Sequence, residues 1–422
     1  MTRARAALYD VPKAGARITR QDGRYPETFT VGHESSAAMK MMHVPHFPAP
    51  DLAEAPIAPH DPWAGATAGA LDLGATLYVP VLHPAAAEIV AGRRMPALRS
   101  VVICLEDSLL ASDVDRGLAA LRALLAGVAR DVGGAGAGAA AGSALGPIPH
   151  PLPLRAPNRR GCVRGPLVFV RPRSVEMARQ IACLPGIEMA DGFVAPKIGI
   201  ETLDAWWAVA AVADLRLMPT LEQPWVFDPV RLSAFAAALD GLDPARLIAL
   251  RMGGNDLLGA LGLRRRRGRT IYDGPLAAVL AQAMCQLGAR GHALTAPVFD
   301  ILDDPATLAQ ETRRDVEFGF IGKTAIHPGQ IALIEAAFAV RPDDLAMAAR
   351  ILAPDAPAVF RVGGAMAEPA THRVWAAGVL ARARSYGVAP PEASFGASSE
   401  APFEAPFEVS PEAWSAHESL AR

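Results

Sequence analysis

Leu217–Glu222 reads LMPTLE and Leu247–Asp256 reads LIALRMGGND, two short apolar runs that each end in a carboxylate. Runs this short, nearly continuous in Leu, Ile, Ala and Met, suit strands buried on both faces, which is how parallel strands are built. As strands of one parallel barrel they would project Glu222 and Asp256 into a single mouth, where two acids can share a divalent cation. The flanking sequence supports this. Six further strand-like runs, Ala75 to Leu82, Ser100 to Leu105, Pro166 to Arg171, Gly192 to Lys197, Leu294 to Phe299 and Gly319 to Ile326, bring the total to the eight that a closed barrel requires. Between the runs lie helical patterns at Asp113 to Val132, Ser174 to Leu184, Glu201 to Asp214, Asp228 to Leu239, Pro275 to Arg290 and Pro305 to Phe318, several opened by Asp or Ser at an N-cap position. The fold expected is α/β, a TIM (β/α)8 barrel over residues 71–345 with an N-terminal extension and a C-terminal helical segment.

Three parts fall outside the alternation. Residues 1–70 are rich in Pro and His and weakly periodic, and read as an extension. Residues 133–165 are Gly/Ala/Pro-rich and read as a flexible insertion between the second helix and the third strand. Residues 346–385 read as a C-terminal helical segment, and 386–422, with its APFEAPFE duplication, as a disordered tail.

With 51% hydrophobic and 20% charged side chains, the 422-residue chain has ample material for one large core. A formal charge of -2 gives no overall pull toward nucleic acid or an anionic membrane. No apolar stretch reaches the roughly 20 residues needed to span a bilayer, and the N-terminus lacks a secretion-signal core, so a cytoplasmic location is the default expectation. Cys104, Cys162, Cys183 and Cys285 lack CxxC spacing and read as small buried side chains.

Chemistry in such barrels gathers at the C-terminal strand ends. Those ends carry Glu106 and Asp107, Arg171, Lys197, Glu222, Asp256 and Asp300 in succession. Mg²⁺, or Mn²⁺ in its place, takes oxygen ligands and keeps waters, so Glu222 and Asp256 suffice as its protein ligands. Gly253 and Gly254 let the backbone pass close to metal or substrate. Arg171 offers a fork matched to a substrate carboxylate, with an ion pair to Glu106 or Asp107 as the competing reading. Lys197 either orients substrate, forms a Schiff base, or pairs with an acid. His327 reads as a structural histidine, and Arg264–Arg267 as a solvated loop.

The ordered set LYVP, ICLEDS, VFVRP, APK, PTLEQP, GGNDLL and GFIGKTAIHPGQ resembles the citrate lyase beta subunit and the malyl-CoA and citramalyl-CoA lyases of the HpcH/HpaI aldolase and citrate lyase superfamily, from about Leu77 to Arg384. The Gly/Ala insertion and long termini are similar to a divergent branch found in tellurite-resistance gene clusters. The resemblance implies a barrel, Mg²⁺ on Glu222 and Asp256, substrate contacts from Arg171 and Glu106, a homotrimer, and carbon-carbon cleavage through a metal-stabilised enolate. Gly74–Ala75 stand where the family has Arg-Ser, Val81 where a Gly follows the Pro, and Cys104 where an acid precedes LED. These three positions are expected near substrate and coenzyme A. The family's Gly-x-Met-x-Asp-x-Pro element, whose Asp serves a neighbouring subunit, is matched by Gly364 to Pro369, with Glu368 in the acid's place.

The expected activity is Mg²⁺-dependent cleavage of a small oxo- or hydroxy-carboxylate or its acyl-CoA thioester. Arg171 holds substrate, assisted by Glu106, Lys197, Gly253 and Gly254, and Glu368, a metal-bound water or Asp107 handles the proton. The rival is a barrel that has lost turnover and serves as a binding or assembly component.

Overall fold

The computed structural model of the protein describes residues 69–134 and 165–390. Strands β1 (Ala75–Pro80), β2 (Ser100–Cys104), β3 (Leu167–Arg171), β4 (Gly192–Ala195), β5 (Arg216–Leu221), β6 (Leu250–Met252), β7 (Leu294–Thr295) and β8 (Lys323–Ala325) pair in parallel. Their order is β7-β6-β5-β4-β3-β2-β1-β8, and a parallel bridge from Ala296 to Lys323 joins the two edges. The result is the (β/α)8 barrel that the alternating sequence predicts.

Each strand separates two apolar layers because successive side chains point to opposite faces. Val102, Phe169, Val194 and Met218 fill the barrel interior. Leu77, Val79 and Phe193 face outward and pack with helix residues such as Phe235 and Leu280. Each such fully buried side chain contributes about 1.5–3 kcal/mol of transfer free energy.

The connecting helices are α1 (Ala86–Val90), α2 (Val114–Gly134), α3 (Val175–Ala182), α4 (Ile200–Val212), α5 (Pro229–Asp240), α6 (Gly254–Ala260), α7 (Leu276–Leu287), α8 (Pro305–Glu317) and α9 (Ile331–Phe338). Ser174, Asp228 and Asp304 each accept a first-turn N–H at the start of α3, α5 and α8. Pro229 and Pro305 sit at the first position of α5 and α8, where the missing N–H costs nothing. Short α1 and α6 are not apparent from periodicity. No helix of the described residues is long and apolar enough to cross a membrane.

Beyond the barrel, α10 (Pro342–Leu352) and α11 (Pro369–Tyr386) flank an antiparallel hairpin of β9 (Phe360–Val362) and β10 (Ala365–Ala367). The expected helical segment is thus interrupted, because Gly363 and Gly364 both take positive φ and turn the chain. α11 ends against the N-terminal end of the barrel. The Tyr386 hydroxyl donates to the Ile321 carbonyl at 2.5 Å, its ring stacks on Phe338 at 5.1 Å, and the Arg99 guanidinium lies 4.4 Å above it. Gly74 belongs to this end too: Ala75 N–H bonds to Glu335 at 2.8 Å, and a Cβ on Gly74 would stand 2.3 Å from that carboxylate. Gly74–Ala75 are therefore far from the mouth, contrary to the expectation that they lie near substrate. The N-terminal extension lies outside the described residues up to position 68, as do residues 135–164 of the insertion and the tail from 391.

Candidate active site

At the C-terminal ends of the strands the charges converge. Arg171 is the last residue of β3, Glu222 follows β5 directly, and Glu106 and Asp107 follow β2. Lys197, just past β4, is held in the left-handed region at φ 49°, and its N–H donates to Glu222 Oε1 at 2.7 Å. Asp256 stands in the first turn of α6 rather than at the end of β6, because GGND opens a helix at Gly254 instead of extending the strand. Gly253 admits no side chain: a Cβ there would lie 2.2 Å from Glu222 Cβ and 2.6 Å from its Oε2. At Gly254 a Cβ would meet Pro297 Cβ at 2.7 Å.

Both readings of Arg171 meet at one guanidinium. Its Nη1 lies 3.1 Å from Glu106 Oε2 and 3.1 Å from Asp107 Oδ2, while Nη2 spans both Glu222 oxygens at 3.2 Å. Its buried Nε has no partner. Burial works against this cation, but Glu222 and the other neighbours hold its proton firmly. Lys197 Nζ is 2.6 Å from Glu106 Oε1, a hydrogen bond that raises its pKa and keeps it an ammonium. A protonated amine is no Schiff-base nucleophile.

The carboxylates titrate apart. Burial pushes Glu222 up to about 7, with Asp256 and Glu106 adding to it against Arg171. Burial also raises Asp256, followed by the charge of Asp107. Glu106 is raised by burial and by its hydrogen bond with Asp107. Burial opposes ionisation of Asp107, yet the Glu106 hydrogen bond and the Arg171 and Lys197 charges together hold it below its ordinary value. Asp107 is thus the readily ionised acid of the group, with its side chain 55% exposed.

These groups surround a cavity of about 640 Å³ whose lining includes Asp107, Arg171, Glu222, Gly253, Gly254 and Asp256. Glu106 and Lys197 line an adjoining recess with Asp107 and Arg173. Glu368 lies at the start of α11, accepting from the Thr371 hydroxyl, and is not among the residues that line the cavity of its own chain. Asp300 is also outside it, 3.6 Å from Arg265 Nε. The arginine run is not a uniformly solvated loop: the Arg265 side chain is 2% exposed and pairs with Glu311 at 2.6 Å, because α8 offers it a buried acid. His327 caps the turn after β8, accepting from Gly329 N–H, and burial lowers its pKa; it also lines the cavity. Cys104 is buried in the cavity wall, whereas Cys183 and Cys285 are exposed, since both occupy outward faces of helix ends. Cys162 lies outside the described residues.

Sequence reading missed Arg251, Tyr78 and Thr220, which line the same cavity from inside the strands. The available signal was an arginine in the middle of an otherwise apolar strand, LIALRM.

Among the described residues no three His, Cys, Asp or Glu side chains form a metal cage. Two carboxylates nevertheless meet the needs of Mg²⁺, which retains waters and takes substrate oxygens. Asp256 raises the pKa of Glu222, and Asp107 raises that of Asp256, a repulsion among acids that a divalent cation relieves, and the Gly253 backbone leaves the Glu222 carboxylate uncrowded. The donor set fits Mg²⁺.

Residues 67–388 match the profile of the carbon-carbon bond lyases of the TIM-barrel fold. A (3S)-malyl-CoA thioesterase of Cereibacter sphaeroides strain ATCC 17029 is 32% identical over 166 residues, 39% of this chain and 53% of that protein. The chain thus spans about half the length of that relative. A citrate lyase structure from Burkholderia xenovorans LB400 covers 76% of this chain and 94% of its own at 18% identity and a TM-score of 0.53. CitE from Mycobacterium tuberculosis, in complex with magnesium, acetoacetate and coenzyme A, covers 75% and 98% at 21% identity and a TM-score of 0.51. These two likenesses establish the fold.

Proposed function

This chain belongs to the carbon-carbon bond lyase family of the TIM-barrel fold, and we propose that it is a Mg²⁺-dependent lyase. Its substrate is a small oxo- or hydroxy-carboxylate or the CoA thioester of one, cleaved in the retro-aldol or retro-Claisen sense. One observation carries the reading: Arg171, Glu222 and Asp256 meet in one cavity, with a glycine at 253 where any side chain would strike Glu222.

Glu222 and Asp256 hold the cation. Bound there, Mg²⁺ supplies the positive charge that bond cleavage beside a carbonyl demands. Arg171, in the cavity wall, orients the substrate by its positive charge, its Nη nitrogens being fixed by Glu106, Asp107 and Glu222. Asp107, ionised and open to the cavity, takes the proton of the substrate hydroxyl. Lys197 and Glu106 hold Asp107 and Arg171 in position. Glu368 enters only where a second copy of the chain brings its C-terminal hairpin to this mouth, as a homotrimer in the cytoplasm would. Mn²⁺ satisfies the same oxygen donors.

The likeness to a malyl-CoA thioesterase favours a second reading, hydrolysis of the thioester with the carbon skeleton intact. Incubation with Mg²⁺ and malyl-CoA, citramalyl-CoA or the free hydroxy acids separates the two. A new carbonyl product indicates cleavage, and free CoA with unchanged hydroxy acid indicates hydrolysis. Neither product from any substrate leaves a barrel that binds without turnover and refutes the lyase. Glu222→Ala and Asp256→Ala should abolish Mg²⁺ binding by calorimetry with the melting temperature retained; unchanged affinity in both rejects the metal assignment.

A further inference from the structure

Arg251, in the middle of β6, is 1% exposed and lines the cavity from below the rim. Its Nη1 bonds to Thr76 Oγ1 at 3.3 Å and approaches the Met218 sulfur at 3.9 Å, and its Nη2 bonds to Thr324 Oγ1 at 2.5 Å. Its guanidinium lies 5.2 Å from the centre of the Tyr78 ring, within hydrogen-bonding reach of the tyrosine hydroxyl. Its Nε has no partner, and no carboxylate of the described residues forms an ion pair with it.

Every comparable basic group in the described interior has an acid. Arg99 pairs with Glu335, Arg216 with Asp191, Arg265 with Glu311, and Lys323 with Glu311 and Asp315. Arg171 has three. A guanidinium cannot shed its proton, and a buried charge without a counter-ion is strongly unfavourable. Tyr78 does not serve, because burial raises its pKa and the phenol stays neutral. The missing negative charge has to come from what enters the cavity.

We propose that Arg251 is a second anion-recognising group of this cavity and that the substrate carries a second free carboxylate, seated on the floor against Arg251. The inference rests on reading the cavity as the substrate pocket. Arg171 and Arg251 line the one cavity that also holds Glu222 and Asp256, with their guanidiniums 5.9 and 5.2 Å from the centre of the same Tyr78 ring, so both cations are offered to a diacid in that cavity. A neutral group at Arg251 would leave the buried cation uncompensated. Arg251 thereby selects diacids over monoacids of the same skeleton.

Malate and lactate differ by one carboxylate and serve as probes. Calorimetry on the full-length protein with Mg²⁺ should show malate bound about tenfold or more tightly than lactate, the gain of one charge-assisted pair. Arg251→Gln should reduce malate affinity to that of lactate and leave lactate unchanged. Arg251→Met, of similar volume, should do the same, with a ligand-free melting temperature equal to or above that of the parent. Equal binding of the two acids by the parent, or an unchanged ratio in both variants, overturns the role of Arg251 and leaves the pocket standing. Destabilisation of both ligand-free variants by several degrees marks Arg251 as a structural group and overturns it as well. If the parent binds neither acid, the pocket reading falls together with the inference.

Discussion

Gly253 has no room for a Cβ, since Glu222 stands 2.2 Å from where it would be. Gly253→Ala must push the Glu222 carboxylate aside. The expected cost is about 1–3 kcal/mol in thermal unfolding, with loss of more than about tenfold in Mg²⁺ affinity. Intact Mg²⁺ affinity in that variant counts against Glu222 as a ligand. Glu222 also sets a pH dependence. Its folded pKa, about 7, lies above its ordinary 4.5, so the folded chain keeps a proton that the unfolded chain releases. Stability without metal is therefore greatest below about 4.5 in this respect and falls as pH rises toward 7, by on the order of 3 kcal/mol at most. Metal binding shows the opposite trend, because Mg²⁺ needs the ionised carboxylate: affinity should drop up to about tenfold per pH unit below 7. Calorimetry at pH 5.5, 6.5 and 7.5 tests this, and a flat profile rejects it.

At the scale of elements, β8 and α8 are joined by a dry ionic cluster. Lys323 Nζ lies 2.9 Å from Glu311 and 2.8 Å from Asp315, with all three side chains fully buried. Glu311 also takes Arg265 and the Ile271 N–H, and Asp315 accepts from the Tyr272 hydroxyl at 2.6 Å. Arg265 in turn donates to the Val298 carbonyl, which holds one wall of the cavity. Lys323→Met leaves Asp315 with no cation and Glu311 with Arg265 alone, and should cost about 3–5 kcal/mol in urea unfolding. A loss below about 1 kcal/mol would mean that the cluster relaxes or hydrates. The strands themselves were legible, but not their lengths. β7 is only Leu294–Thr295, although the apolar run continues to Phe299, because Pro297 cannot donate to a ladder. GGND was read as a strand end because it directly follows the apolar run LIALRM, whereas here it starts α6 and lifts Asp256 onto it.

For the whole molecule, the two ends of the barrel have separate tasks. The N-terminal end is stoppered by α11, where Tyr386, Arg99, Phe338 and Glu335 interlock, and the opposite end holds the charged cavity. Tyr386→Ala should destabilise the fold by about 3–5 kcal/mol and leave Mg²⁺ affinity unchanged in the folded fraction. A parallel loss of metal affinity would show that the ends are coupled.

The barrel was readable from the chain because apolar runs and capped helices alternate, and burial on both faces leaves a parallel strand no polar positions. The acids and Arg171 at the strand ends were readable for a related reason: a charge directly after a buried strand has only the mouth to occupy. The sequence alone could not say which acid pairs with which cation, because Arg171 reaches one acid after the adjacent β2 and another after β5, two strands away, which only the curvature of the barrel brings near. Nor could it show that Glu368 stands apart from the cavity of its own chain, or that Arg251 alone among the buried cations of the described residues lacks an acid. Those are facts of three-dimensional neighbourhood, decided by which strands adjoin and how far each side chain reaches across the barrel.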